Sequence, residues 1–293
     1  MLTQHQLHWG VDQWAAYLSA QSLPCMPRSK LLLTALEEVR GDRLAVRELA
    51  DIASGDAFLC MRLLRAAERQ RSQRLGHETT TALAALMQLG SDAFRELLLA
   101  SPETDDTHPG LAACEARSHM AMHLALHWGT ARADVAPEEI ALAAQLSEIG
   151  ELLLWNYAPE LPMAALEEMA FGRATRSVQA QEQACGFAFR SLTCKCATIW
   201  RLPALLIQLI RGADNVRANI SRLCVDTARH LAAGVDDPAL PCDLVEAKRL
   251  MPHASLEWLA SCLVGPEPEE LALLVERAEQ KLQAEALDPP AAT

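Results

Sequence analysis

Residues 138–159 read EEIALAAQLSEIGELLLWNYAP, and the rest of the chain is organised around them. The apolar residues Ile140, Ala144, Leu146, Ile149, Leu152 and Leu153 fit a helical stripe better than the alternation of a strand. Pro137 suits a first helical turn, and Glu138 and Glu139 put carboxylates at the helix's positive end. The reading is a central helix. Near its middle stands Leu146-Ser147-Glu148-Ile149-Gly150.

The chain has 293 residues, enough for one large domain or two small ones. Leu and Ala are abundant, while aromatic and β-branched residues are sparse. That mix lowers the rotamer cost of helix and predicts an all-α fold. A formal net charge of -12 repels a phosphate backbone and argues against sequence-independent nucleic-acid binding. Arg62, Arg65, Arg69, Arg71 and Arg74 form a local basic cluster, read as a solvated helix face. The nine cysteines are scattered and suit a reducing cytosol. Cys194 and Cys196 are the one close pair and lack the further ligands of a zinc site. The start of the chain does not read as a signal peptide, and no apolar run spans a membrane. A cytoplasmic protein is expected.

Upstream, a short helix is predicted over 11–20, with Trp14 and Leu18 on one face. Ser29 is the predicted cap of a helix carrying Leu32, Leu33, Leu36 and Val39 and ending at Gly41. Asp56 is a second N-cap, opening a helix with Phe58, Leu59, Leu63, Leu64 and Ala67. Residues 69–79 read as a loop, and helices follow at 81–89 and 92–100. Residues 101–110 read as a surface connection. The helix from Leu111 to Trp128 carries His119, His123 and His127 at i+4 spacing. The outer two lie about 12 Å apart along the axis, too far to share one ion. They read as the polar edge of a packed helix.

Downstream, helices are expected at 164–171, within 177–200, and at 204–211 and 219–233. Residues 236–243 read as a linker. Three short helices close the chain, at 244–251, 255–264 and 269–286, followed by a loose tail from Asp288.

Several anchors together resemble one family. They are Leu23-Pro24 with Pro27, Asp56-Ala57-Phe58-Leu59, Leu63 to Glu68, Ala85 with Leu89-Gly90, and Trp200-Arg201-Leu202-Pro203. They resemble the HDOD domain, an HD-related output domain of bacterial signalling proteins. Leu146 to Gly150 resembles a degraded Leu-His-Asp-Ile-Gly, the mark of the HD phosphohydrolases, in which adjacent His and Asp ligate a metal. The resemblance covers about 23–234 and implies two packed lobes, 23–100 and 111–234, the second HD-like. Residues 1–22 add an N-terminal helix. The extension 235–293 is not explained by the resemblance: it either packs on the domain or covers a partner surface.

The positions that carry the metal in HD enzymes are changed here. Ser147 and Glu148 replace the His-Asp pair, Phe189 stands for a further His, and Ala213 and Asp214 for a His pair. At most His119, Glu148 and Asp214 remain as ligands. Glu148 and Glu151, an i, i+3 pair, read as surface or satisfied groups rather than an acid-base couple. The expectation is a non-catalytic signalling module with no cofactor. Its partner would be a signalling protein in trans, with neither nucleic acid nor membrane involved. The oligomeric state and any ligand-binding residues are left open. A residual metal-dependent phosphohydrolase acting on a nucleotide or cyclic dinucleotide is the alternative. A plain helical scaffold whose C-terminal helices bind a partner is the third reading.

Overall fold

The computed structural model describes residues 2–70 and 78–287, and within them the chain is helical. The one β feature among the described residues is an isolated parallel bridge from Cys25 to Glu103. The loose tail expected from Asp288 lies outside the described residues.

Helix α1 (Val11–Ala20) buries Trp14 and Leu18, as their spacing predicts. Helix α2 (Pro27–Arg40) starts at Pro27, which has no N–H to leave unpaired. Ser29, expected as the cap, therefore falls inside the helix. It is buried and donates its hydroxyl to Asp56 Oδ2 at 2.8 Å. Leu33 is buried, whereas Leu32 and Val39 of the expected stripe are exposed. Helix α3 (Val46–Ser54) leads to Asp56 and α4 (Ala57–Gln70). Asp56 Oδ1 accepts from Leu59 N at 3.0 Å, the expected N-cap, and Oδ2 also accepts from Met26 N at 2.6 Å. This buried carboxylate thus ties the start of α2 to the start of α4. Helices α5 (Ala82–Leu89), capped by Thr81, and α6 (Ser91–Leu99) follow.

The segment 101–110 is more than a surface connection. Cys25 N donates to Pro102 O at 2.8 Å and Thr104 N to Cys25 O at 3.0 Å, with Ser101 and Thr104 buried. Pro109 already belongs to α7 (Pro109–Gly129).

The central stretch is two helices rather than one: α8 (Pro137–Leu146) and α9 (Ile149–Tyr157). The chain turns at Ser147-Glu148, where Ser147 N reaches both Ala143 O and Ala144 O and the ladder tightens. Hydrophobic spacing carries across this turn, so periodicity alone does not reveal it. Beyond it come α10 (Glu160–Ala170), which takes Pro162 into its first turn, α11 (Ser177–Cys185) and α12 (Phe189–Ile199). Gly150 lets α9 approach α12 closely. Its N–H donates to Thr193 Oγ1 at 3.0 Å, and a Cβ here would sit 2.6 Å from that oxygen and 2.8 Å from Phe189 O.

After the Trp200 corner, α13 (Ala204–Arg211) receives Glu78 at its N-terminus. Ala204 N and Leu205 N donate to its two carboxylate oxygens at 3.0 and 3.1 Å. Helix α14 (Val216–Ala233) begins at Asn215, which accepts from Ala218 N.

The expected linker at 236–243 is shorter, because α15 (Leu240–Leu250) opens within it and takes Pro241 in its first turn. Helices α16 (Leu256–Ser261) and α17 (Pro268–Leu287) follow. These C-terminal helices pack on the domain. Trp128 Nε1 donates to Leu259 O at 3.1 Å, and Arg132 Nη1 to Leu250 O at 2.7 Å. One continuous core runs from Trp14 through Phe58, Trp128 and Leu206 to Leu259 and Ala278. Among the described residues no helix is long and apolar enough to cross a membrane.

His230 on α14 and Asp243 on α15 meet at 2.6 Å. That hydrogen bond holds the imidazole pKa above its ordinary value against the opposing effect of burial, and the charges of Asp243, Asp237 and Asp226 add to it.

Two outcomes are expected. Gly150→Ala should cost roughly 1–3 kcal/mol by overpacking, read by urea denaturation, and an unchanged midpoint would contradict the close approach. Folding favours the charged imidazole, because its pKa is higher in the folded chain than in the unfolded one. Its contribution is therefore complete below the unfolded pKa of about 6.5 and fades as pH rises through the higher folded value. The gap in Tm between wild type and His230→Gln should be widest in acid and narrow with rising pH.

Candidate functional site

The stretch that resembles the metal-binding pair of the HD enzymes forms the turn between α8 and α9. Ser147 is half-buried, and its hydroxyl turns back to Ala143 O at 2.8 Å. Glu148 points inward and is 1% exposed. A carboxylate so deeply buried needs a compensating positive charge. Two helices supply it. Arg229 of α14 donates to Glu148 Oε1 through Nε at 3.0 Å and Nη2 at 2.8 Å. Arg117 of α7 sets Nη2 3.7 Å from Glu148 Oε2 and donates to Glu151 Oε1 at 2.6 Å. Trp155 Nε1 donates to the same Glu151 oxygen at 3.3 Å. Cys114, one turn before Arg117, lies with Sγ 3.8 Å from Glu148 Oε2.

Two guanidiniums therefore face two carboxylates. The charge of Glu148, more than any other factor, raises the pKa of Arg229 above the ordinary arginine value. Burial pushes the Cys114 thiol well above its ordinary value, as do the charges of Glu151 and Glu148, so the sulfur keeps its proton. Burial likewise raises the Asp226 carboxyl.

The expected remnant ligands are not brought together. His119 and Asp214 are exposed, and Ala213 is half-buried beyond the end of α13. Phe189 is buried at the start of α12, where its N–H donates to Gln181 Oε1 at 2.9 Å. Among the described residues the one trio with metal-ligand atoms in mutual reach is Cys114, Glu148 and Glu151, within 4.8 Å. These residues do not fit a metal. Both carboxylates are engaged by guanidiniums, the thiol is protonated, and no imidazole joins them.

Glu148 and Glu151 are satisfied polar groups, as the sequence suggests, but in the interior. Arg117 and Arg229 escape sequence reasoning. The available signal is that Arg117 sits three residues after Cys114 and four before Ala121, inside α7's buried stripe. His123 and His127 stack at the half-exposed edge of that helix, ring centroids 4.1 Å apart. Burial, together with His127 and His119, lowers the His123 pKa. The arginine cluster is not a uniformly solvated face. Arg62 and Arg65 are half-buried and Arg69 is exposed, while Arg71 and Arg74 lie outside the described residues.

The fold is an all-α domain whose turn at Glu148 resembles the metal-pair motif of the HD enzymes. A family model for the HDOD domain matches residues 23–216. The chain belongs to the HDOD domain family. No curated protein shows significant similarity to it. Among solved structures it is similar to a virulence factor (cj0248) from Campylobacter jejuni subsp. jejuni. That match has 18% identity and a TM-score of 0.68, covering 89% of this chain and 99% of that one. It is also similar to the MmoQ response regulator from Methylococcus capsulatus. There the identity is 21% and the TM-score 0.61, with 88% of this chain and 99% of that one covered. At such identities the likeness is one of fold.

Arg229→Ala should leave Glu148 buried with only the longer Arg117 contact, at a cost of about 3 kcal/mol. The double replacement Glu148→Met with Arg229→Met should recover much of that loss. A denaturant-based double-mutant cycle measures both, and additive losses would contradict the pairing.

Proposed function

We propose that the protein is a non-catalytic HDOD signalling module that relays its signal through contacts with another signalling protein. The observation that carries this reading is the pairing of Glu148 with Arg229 and Arg117. An HD phosphohydrolase uses a metal to lower the pKa of a bound water and so generate its nucleophile. That chemistry needs several donors free to bind the ion, with open coordination positions left for water and substrate. Here the guanidiniums supply the positive charge that an ion would bring, but they bind no water as a nucleophile and leave no open coordination position. Cys114, as a protonated thiol buried beside two carboxylates, is a poor nucleophile as well. Membership of a family related to the HD enzymes but built as output domains agrees with this reading, as does a structural neighbour that is itself a response regulator.

Protein purified without chelator should carry less than about one transition-metal ion per ten chains. With added Mn²⁺ it should hydrolyse bis-p-nitrophenyl phosphate no faster than buffer does. Metal-dependent turnover that disappears in Glu148→Gln, with the helical circular dichroism retained, would overturn the proposal.

A further inference from the structure

A cleft separate from the Glu148 turn lies where α4 meets the Trp200 corner and the end of α1. Its volume is about 710 Å³, within the range of small-molecule sites. Arg65, Arg69 and Arg201 line it, with Glu68 as the carboxylate on the wall and Ile199 as an apolar flank. Trp200 is fixed in place by donating Nε1 to Ser19 O at 3.3 Å, and the Arg65 guanidinium lies 5.0 Å over its ring. Among the described residues no carboxylate is in ion-pair contact with any of these three arginines. Burial, with Arg69 and Arg62 nearby, lowers the Arg65 pKa, as expected where positive charge is left uncompensated. On a chain of net charge -12 such a concentration of cations is local and specific to this place.

The backbone adds an independent sign. Arg201 has φ +56° and is the non-glycine residue with positive φ among those described. It follows the last turn of α12, where Leu202 N returns to Ala197 O at 3.0 Å, a helix ending that favours glycine. An arginine held in that conformation sets a guanidinium at the cleft, and backbone strain of this kind concentrates at functional sites.

We infer that this cleft binds a phosphorylated small molecule of nucleotide size, its phosphates against Arg65, Arg69 and Arg201 and its apolar part against Ile199. Guanidinium forks match phosphate oxygens in geometry as well as charge. An occupant would join α4 of the first lobe to the corner between α12 and α13 of the second. The inference does not depend on the Glu148 site being non-catalytic.

The test is isothermal titration of the full chain at fixed ionic strength with ADP, sodium pyrophosphate, adenosine and an oligoglutamate peptide. One-site binding of ADP or pyrophosphate, with none for adenosine, is expected. Arg69→Ala and Arg201→Gly should each weaken it by about tenfold. Both variants should keep the wild-type Tm, since Arg69 is exposed and glycine suits the backbone at 201. Absence of saturable heat with either phosphate ligand would overturn the inference, as would adenosine matching ADP or undiminished binding in both variants. Binding of the oligoglutamate in preference to both phosphates would also overturn it and make the cleft a surface for acidic polypeptide.

Discussion

A negative charge in the interior has to be neutralised, and around Glu148 that need draws four helices together. The carboxylate sits at the turn between α8 and α9, while Arg117 arrives on α7 and Arg229 on α14. Each arginine also buries a long aliphatic stem in the packing between helices. Removing any one of the charged groups leaves its partners desolvated without compensation, which is far more costly than never having had them. The network therefore constrains how α7, α9 and α14 can pack.

In the HD enzymes, whose metal-pair motif the Glu148 turn resembles, a metal ion organises the carboxylate. An ion and a guanidinium both answer a buried carboxylate, but they differ in what else they can do. An ion can hold water or substrate at a remaining coordination position, whereas a guanidinium spends its donors on the carboxylates and is fixed by covalent attachment to its helix. The place of Gly150 after Ile149 belongs to packing, since α9 must pass within contact distance of Thr193 and Phe189 on α12.

Directional contacts, as well as the shared core, tie the N-terminal helices to those around α8 and α9. Gln145 donates to Ser54 O at 2.6 Å, Thr80 to Glu139 at 2.7 Å, and Thr104 to Asn156 at 2.6 Å. Arg28 reaches Gly55 O and Glu115 from α2. The C-terminal helices extend this body: α16 covers Trp128, and α15 pairs with α14 through His230 and Asp243.

The sequence by itself determined the helical class, most helix positions and the family, because these rest on local spacing, caps and short anchors. Asp56 reads as a cap from its residue type, and the Trp200 to Pro203 corner reads as a helix break. It also showed which imidazoles are missing from the expected metal positions. Tertiary structure alone decided the break at Ser147-Glu148, the burial of Ser29 and the early start of α15, since a hydrophobic stripe continues across a turn and a hydroxyl's partner lies far along the chain. It alone placed Arg117 and Arg229 on Glu148, residues 31 and 81 positions away. Charge pairing depends on distance in space, and nothing in the order of residues records it.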